Sequence, residues 1–256
     1  MKKLIKLETI KWIRSKKLYI VMFVFLFFGL SSPLSTYYAK DIIKVLSHGS
    51  DTKLALEDPT WQALMQSYFK NLSDTILFIV AYICSSMCRL RPNTSIEYFY
   101  KTRIKHNNYL YFPKYIACII MVTLGLIIGF ISMFFITSIF FNNIDLLRVC
   151  IIFLIQLYGF LTLVSLSVVF SIQTKSPFLS VLLIEIIIIL SGIIQSFLRW
   201  KDWFITDLIN PIEIINKGVF WEYLKWSICV TSVILVLSLL IIVKYYAINR
   251  ASRNSI

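Results

Sequence analysis

The chain has 256 residues, 58% of them hydrophobic, with a mean hydropathy of +0.77 and a net charge of +13. That much apolar surface cannot be folded into one water-soluble core of this length, and its concentration in six windows near bilayer length marks an all-α integral membrane protein. The cationic excess is sorted by membrane side and no nucleic-acid motif accompanies it, which excludes nucleic acid and leaves anionic lipid headgroups as its counterpart.

Residues 1–17 form a basic elbow that runs into a first span over 18–38. The basic start, the apolar core from Leu18 to Leu30 and the small residues Ser31 and Ser32 resemble a secretory signal. Five further spans favour an uncleaved helix. Ser35 to Asn71 reads as an external loop, too short for an independent domain. The second span is expected over 72–90, with Ser73 and Asp74 interrupting its start, and the others over 115–141, 146–172, 177–198 and 224–243. Before the last span, 199–223 is an aromatic segment carrying Trp200, Trp203, Phe204, Pro211, Phe220 and Trp221. It reads as an external interfacial belt broken into short helices at Pro211, which either anchors the protein or caps the external mouth.

Orientation follows from Lys and Arg in short loops. Seven precede the first span (Lys2, Lys3, Lys6, Lys11, Arg14, Lys16 and Lys17) and six lie between spans two and three (Arg89, Arg91, Lys101, Arg103, Lys105 and Lys114). Lys175, Lys244, Arg250 and Arg253 follow on the same side, which carries only Glu8 and Glu97 as acids. The opposite side holds Asp41, Asp51, Glu57, Asp58, Asp145, Asp202, Asp207, Glu213 and Glu222. Both termini are therefore expected in the cytoplasm, with 1–256 forming a single transmembrane domain.

Cys84, Cys88, Cys118, Cys150 and Cys229 sit within or at the ends of apolar spans, where a thiol behaves as a small hydrophobe. Cys84 and Cys88 share a helix face, but no His or acid lies near them in sequence to complete a metal site. His48 and His106 fall in loops and read as solvated. No glycine is followed by lysine, so a phosphate-binding loop is absent. Motifs for zinc or serine hydrolysis are also missing, and no intramembrane carboxylate pair supports acid and base chemistry. A membrane enzyme is left without machinery.

Polar groups inside the spans are few: Glu185, Asp74 near the end of span two, Gln156, Gln195, Thr162, Ser165, Ser167 and Ser191. Glu185 lies roughly 13 Å along its helix from Ser176. A charge at that depth costs about 2.5 to 3.5 kcal/mol on insertion scales, so it must face the bundle, water or a subunit interface. Either it fixes helix packing, hydrogen-bonded to Gln156 or a serine, or it lines a pathway and meets a cationic substrate. Only Glu185 qualifies as ion-coupling machinery, which places the energy source elsewhere. Gly125 and Gly129 form a G-x-x-x-G in span three that permits close helix approach, within the subunit or across a dimer.

Between spans two and three, Pro92 stops the preceding helix and Thr94-Ser95-Ile96-Glu97 fits a capping box, with Thr94 capping a new helix and Glu97 reaching back. Ile96, Phe99, Tyr100 and Ile104 recur at helical spacing with Lys101 and Lys105 pointing elsewhere, so an amphipathic helix is expected over 92–106. It either lies on headgroups or docks into a partner protein's groove.

The opening Glu8-x-x-Lys11-Trp12-Ile13-Arg14-Ser15-Lys16 resembles the basic elbow of the ABC-2 type permeases, especially the small permeases of lantibiotic-immunity and peptide-export ABC transporters. Glu97, Phe99, Tyr100 and Pro113-Lys114 are similar in position and pattern to that family's coupling helix, with Tyr98-Phe99 where the family often has Gly-Thr. The resemblance implies a non-catalytic permease subunit of an ATP-driven exporter, with ATP and Mg bound by a separate ABC ATP-binding subunit and none in this chain. It further implies a second permease subunit, in a homodimer or heterodimer, and a hydrophobic or amphipathic substrate such as an antimicrobial or toxin-like peptide. On it, Ile96, Phe99, Tyr100 and Ile104 enter the ATPase cleft while Lys101 and Arg103 pair with acids at the rim. The other reading is a stand-alone carrier or channel.

Overall fold

The computed structural model describes residues 2–46, 59–89, 108–174, 176–197, 205–209, 211 and 221–251, and the regular structure among them is entirely helical. In chain order the elements are α1 (Lys2–Arg14), α2 (Lys17–Tyr37), α3 (Ala39–Leu46) and α4 (Trp61–Asn71). A π-helical turn, Leu72–Ile76, joins α4 to α5 (Leu77–Cys88). Then come α6 (Asn108–Phe140), α7 (Leu146–Thr174), α8 (Pro177–Phe197), α9 (Thr206–Ile209) and α10 (Trp221–Ala251). Among the described residues six helical stretches are long and apolar enough to cross a membrane: Lys17–Tyr37, Trp61–Cys88, Tyr111–Phe140, Leu146–Thr174, Pro177–Ile194 and Lys225–Ile242. The chain is a multi-pass membrane protein.

Two boundaries differ from expectation. Span two begins at Trp61 rather than Leu72, because Thr60 caps α4 by accepting from the Ala63 amide at 3.3 Å and the helix then runs through the π turn without stopping. Much of the segment Ser35 to Asn71 is thus helical, Ala39–Leu46 included. Helix α6 starts at Asn108 and the third span at Tyr111, so the span takes in Pro113, which its first turns tolerate, and Lys114, both expected in the preceding loop. The last span, Lys225–Ile242, lies where 224–243 was expected, and its helix continues to Ala251.

Residues 2–14 form a helix separate from span one. Lys16 adopts a left-handed conformation at φ 58°, and its amide bonds the Ile13 carbonyl at 3.1 Å, which closes α1 and redirects the chain into α2. Trp12 is the fully buried residue of α1, and the helix lies against the first turns of α6.

The core is built around the crossing of α2 and α6. Phe25 is completely buried over Gly125, where a Cβ would stand 2.5 Å from its Cδ2, and its ring meets Phe160 of α7 at 5.9 Å. One turn further on, Gly29 faces Gly129 directly. Pro33 removes the amide that would have bonded the Gly29 carbonyl. The Ser32 carbonyl in the same turn accepts from the hydroxyls of Ser35, Thr36 and Ser67 at 2.9, 3.1 and 3.1 Å. Large apolar side chains such as Phe23, Ile131, Phe135, Leu154, Ile189 and Val233 point outward, as a lipid-facing surface requires.

Candidate functional site

Short polar side chains fasten the helices at two levels. At the first, Ser85 of α5 donates to the Ser167 carbonyl of α7 at 3.1 Å, and Ser171 returns a bond to the Ser85 carbonyl at 3.2 Å. Ser180 of α8 reaches Ser85 Oγ at 3.3 Å, and Lys17 Nζ of α2 donates to Ser86 Oγ at 2.7 Å. Tyr115 of α6 shares a 2.6 Å hydrogen bond with Ser165 of α7. Five helices therefore meet where α2, α6 and α8 begin and α5 and α7 end. Lys11, Lys17, Arg89 and Lys114 gather at the same level, with Glu8 and Lys11 acting on the Lys114 charge and Glu8 paired to Lys11 at 3.3 Å.

At the second level, the amide of Asn71 donates to Ser32 Oγ at 2.8 Å, and Tyr37 of α2 stacks on Phe140 of α6 with ring centroids 3.8 Å apart. Between α7 and α10, Tyr158 and Ser232 hydroxyls lie 2.8 Å apart. The short helix α9 inserts here. Ile205, Leu208, Ile209 and Pro211 are buried, and the Gln156 amide donates to the Ile209 carbonyl at 3.1 Å. Gly159 makes the room: a Cβ on it would sit 2.9 Å from that of Leu208. This stretch of the aromatic segment is therefore held among the spans, touching α7, α8, α10 and the π turn, rather than lying as a belt at their edge.

Two acids stand within the spans. With span two starting at Trp61, Asp74 is the fourteenth residue of a 28-residue helix and not a residue of its end. It is exposed in the π turn, a geometry that recurs at functional sites, and accepts from Ser73 Oγ at 2.8 Å. Glu185 on α8 is half-buried, one carboxylate oxygen is buried with no hydrogen-bond partner among the described residues, and Asp74 acts on its charge.

The partners expected for Glu185 are engaged elsewhere. Gln156 holds α9, and Ser191 turns back to its own helix, donating to the Ile188 carbonyl at 2.7 Å. Gln195 belongs to the last turn of α8. Gly125 and Gly129 both face α2 of the same chain. The expected coupling residues Thr94, Ile96, Glu97, Phe99, Tyr100, Lys101, Arg103 and Ile104 lie outside the described residues. Cys84, Cys88 and Cys118 are free thiols, all fully buried in the core. Among the described residues no group of His, Cys, Asp and Glu is arranged to hold a metal ion.

Sequence reading missed Gly29, Gly159 and Tyr68, each of which matters only through a neighbour distant in the chain. The spacing of Gly29 and Pro33 was the one available signal for the first. Compared with known protein families, curated proteins and solved structures, the chain finds no match in any of the three.

Proposed function

We propose that this chain is the membrane-spanning permease subunit of an ATP-driven exporter in the cell membrane, forming the pathway for an amphipathic or hydrophobic substrate such as a peptide. It has no catalysis of its own, and a separate ABC ATP-binding subunit carries ATP and Mg. The observation that supports this best is the junction at the end of α5. Residues 90–107 connect α5 to α6, and the last turns of α5 are tied to α2 through Lys17 and Ser86 and to α7 and α8 through Ser85. A push on that connection is delivered to several spans at once. On this reading the ends of the chain lie in the cytoplasm, α1 is the elbow at the membrane surface, and Ile96, Phe99, Tyr100 and Ile104 enter the ATPase, with Thr94 and Glu97 capping their helix and Lys101 and Arg103 at its rim.

A second copy or a related permease completes the pathway, and α9 closes its outer side. The scarcity of ionisable groups in the spans, and the resemblance of the elbow and of the Glu97 to Lys114 segment, support the same reading.

Asp74 and Glu185 favour a second reading, a carrier driven by an ion gradient without an ATPase. Phe99→Ala with Tyr100→Ala separates the two. The exporter reading expects loss of ATPase co-purification and of transport with membrane insertion intact. Uphill movement by vesicles containing this chain alone establishes the carrier instead.

A further inference from the structure

We infer that the junction of α1, α2, α5 and α6 is a binding site for the phosphate of an anionic phospholipid, held by Arg89 and Lys17 with Lys11 and Lys114 adding to the field. Arg89 follows the last residue of α5, and its Nε is buried without a hydrogen-bond partner among the described residues. A guanidinium presents a planar fork of donors matched to phosphate, and Arg89 as a whole is only half-buried, which leaves its outer nitrogens open to a ligand. Lys17 anchors on Ser86, one turn from Arg89, so both cations share one side of α5. Lys114 is only 6% exposed and is acted on by Lys11 and Glu8, which brings α1 into the same junction. Glu8 is the one acid among the described residues at this end, and Lys11 already pairs with it. Among the described residues, Lys11, Lys17, Arg89 and Lys114 stand at this junction with one acid, Glu8.

Depth and surroundings point to a lipid rather than a soluble anion. Arg89, Lys17 and Lys114 mark the ends of apolar spans, which is the level of lipid phosphates. At this same end of the spans Ile13 of α1 and Tyr19, Ile20 and Phe23 of α2 are exposed, apolar surface suited to acyl chains. The inference rests on membrane insertion alone. Its assay contains neither nucleotide nor ATPase, so its failure leaves the exporter reading standing, and the reverse also holds.

The test measures thermal unfolding and native mass spectra of the full chain in detergent with phosphatidylglycerol, phosphatidylcholine or inorganic phosphate. Phosphatidylglycerol is expected to raise Tm and stay bound, with the effect shrinking as salt is added, while the other two leave Tm unchanged. Arg89→Gln and Lys17→Gln each weaken phosphatidylglycerol binding about fivefold, and Arg89→Lys weakens it less. Unaltered Tm in phosphatidylcholine shows that each variant folds. Should Arg89→Gln fail to fold, Lys17→Gln and Arg89→Lys carry the comparison. Lys70→Gln removes the same charge from the opposite half of span two, in α4, and is expected to leave binding unchanged. Equal stabilisation by phosphatidylcholine, a full shift with inorganic phosphate, or equal weakening by Lys70→Gln each overturns the site.

Discussion

Gly29 and Gly129 meet backbone to backbone: a Cβ placed on Gly29 would lie 2.6 Å from the Gly129 carbonyl oxygen and 3.0 Å from Ser132 Cβ. No side chain can occupy that gap, so α2 and α6 approach as closely as two helices can, and Phe25 fills the space one turn away. Gly29→Ala or Gly129→Ala must push the helices apart and is expected to cost about 1 to 3 kcal/mol. Gly192→Ala is the matched control, since nothing lies within 4 Å of its added Cβ and Ala is the better helix former. Thermal unfolding in detergent ranks the three, and a Gly29→Ala protein as stable as Gly192→Ala refutes the crossing.

The hydroxyl of Tyr68 stands 2.5 Å from a Cβ on Gly129 and is buried without a hydrogen-bond partner among the described residues. Removing it relieves an unmet polar group, so Tyr68→Phe is expected to stabilise the protein by about 1 kcal/mol. It also vacates the space that an alanine at 129 would enter. A double-mutant cycle should therefore show Tyr68→Phe offsetting part of the cost of Gly129→Ala. Strict additivity counts against the contact.

Gln156 meets the buried carbonyl of Ile209 across 53 residues of sequence. Gln156→Leu leaves that oxygen unmet and should cost about 1 to 3 kcal/mol locally, loosening α9 more than the bundle. In a cysteine-free background, Ile205→Cys gives the readout. Ile205 is 7% exposed, so a maleimide labels it slowly, and Gln156→Leu is expected to speed that labelling. Gly159→Ala, which would press on Leu208, should act in the same direction.

Among the described residues Glu185 has no hydrogen bond that would fasten the bundle, and both Gln156 and Ser191 are bonded elsewhere. Glu185→Gln is therefore expected to leave expression and Tm unchanged or slightly raised and, on the exporter reading, to lower transport. A loss of stability with transport per folded molecule unchanged identifies a packing role instead.

Span positions were legible because burying about 20 consecutive apolar residues has one solution in lipid, and each such run announces itself without reference to any other. The start of span two was not. Trp61–Asn71 is too polar to read as membrane helix, and it becomes continuous with the span only because Thr60 caps it and Ser67 and Asn71 bond Ser32 on α2. The G-x-x-x-G of Gly125 and Gly129 was visible as a spacing, but its partner was not, since Phe25 and Gly29 lie about a hundred residues earlier in the chain.

The sequence alone determined that this chain enters a membrane, roughly where it crosses, and which of its loops are cationic, because hydropathy and charge act residue by residue through solvation. Only the tertiary structure decided that Gln156 secures α9, that Asp74 stands within a span near Glu185, and that Lys17 of α2 bonds Ser86 of α5. Those facts depend on hydrogen bonds and steric gaps between residues far apart in the chain, where periodicity carries no information about which helix comes to lie beside which.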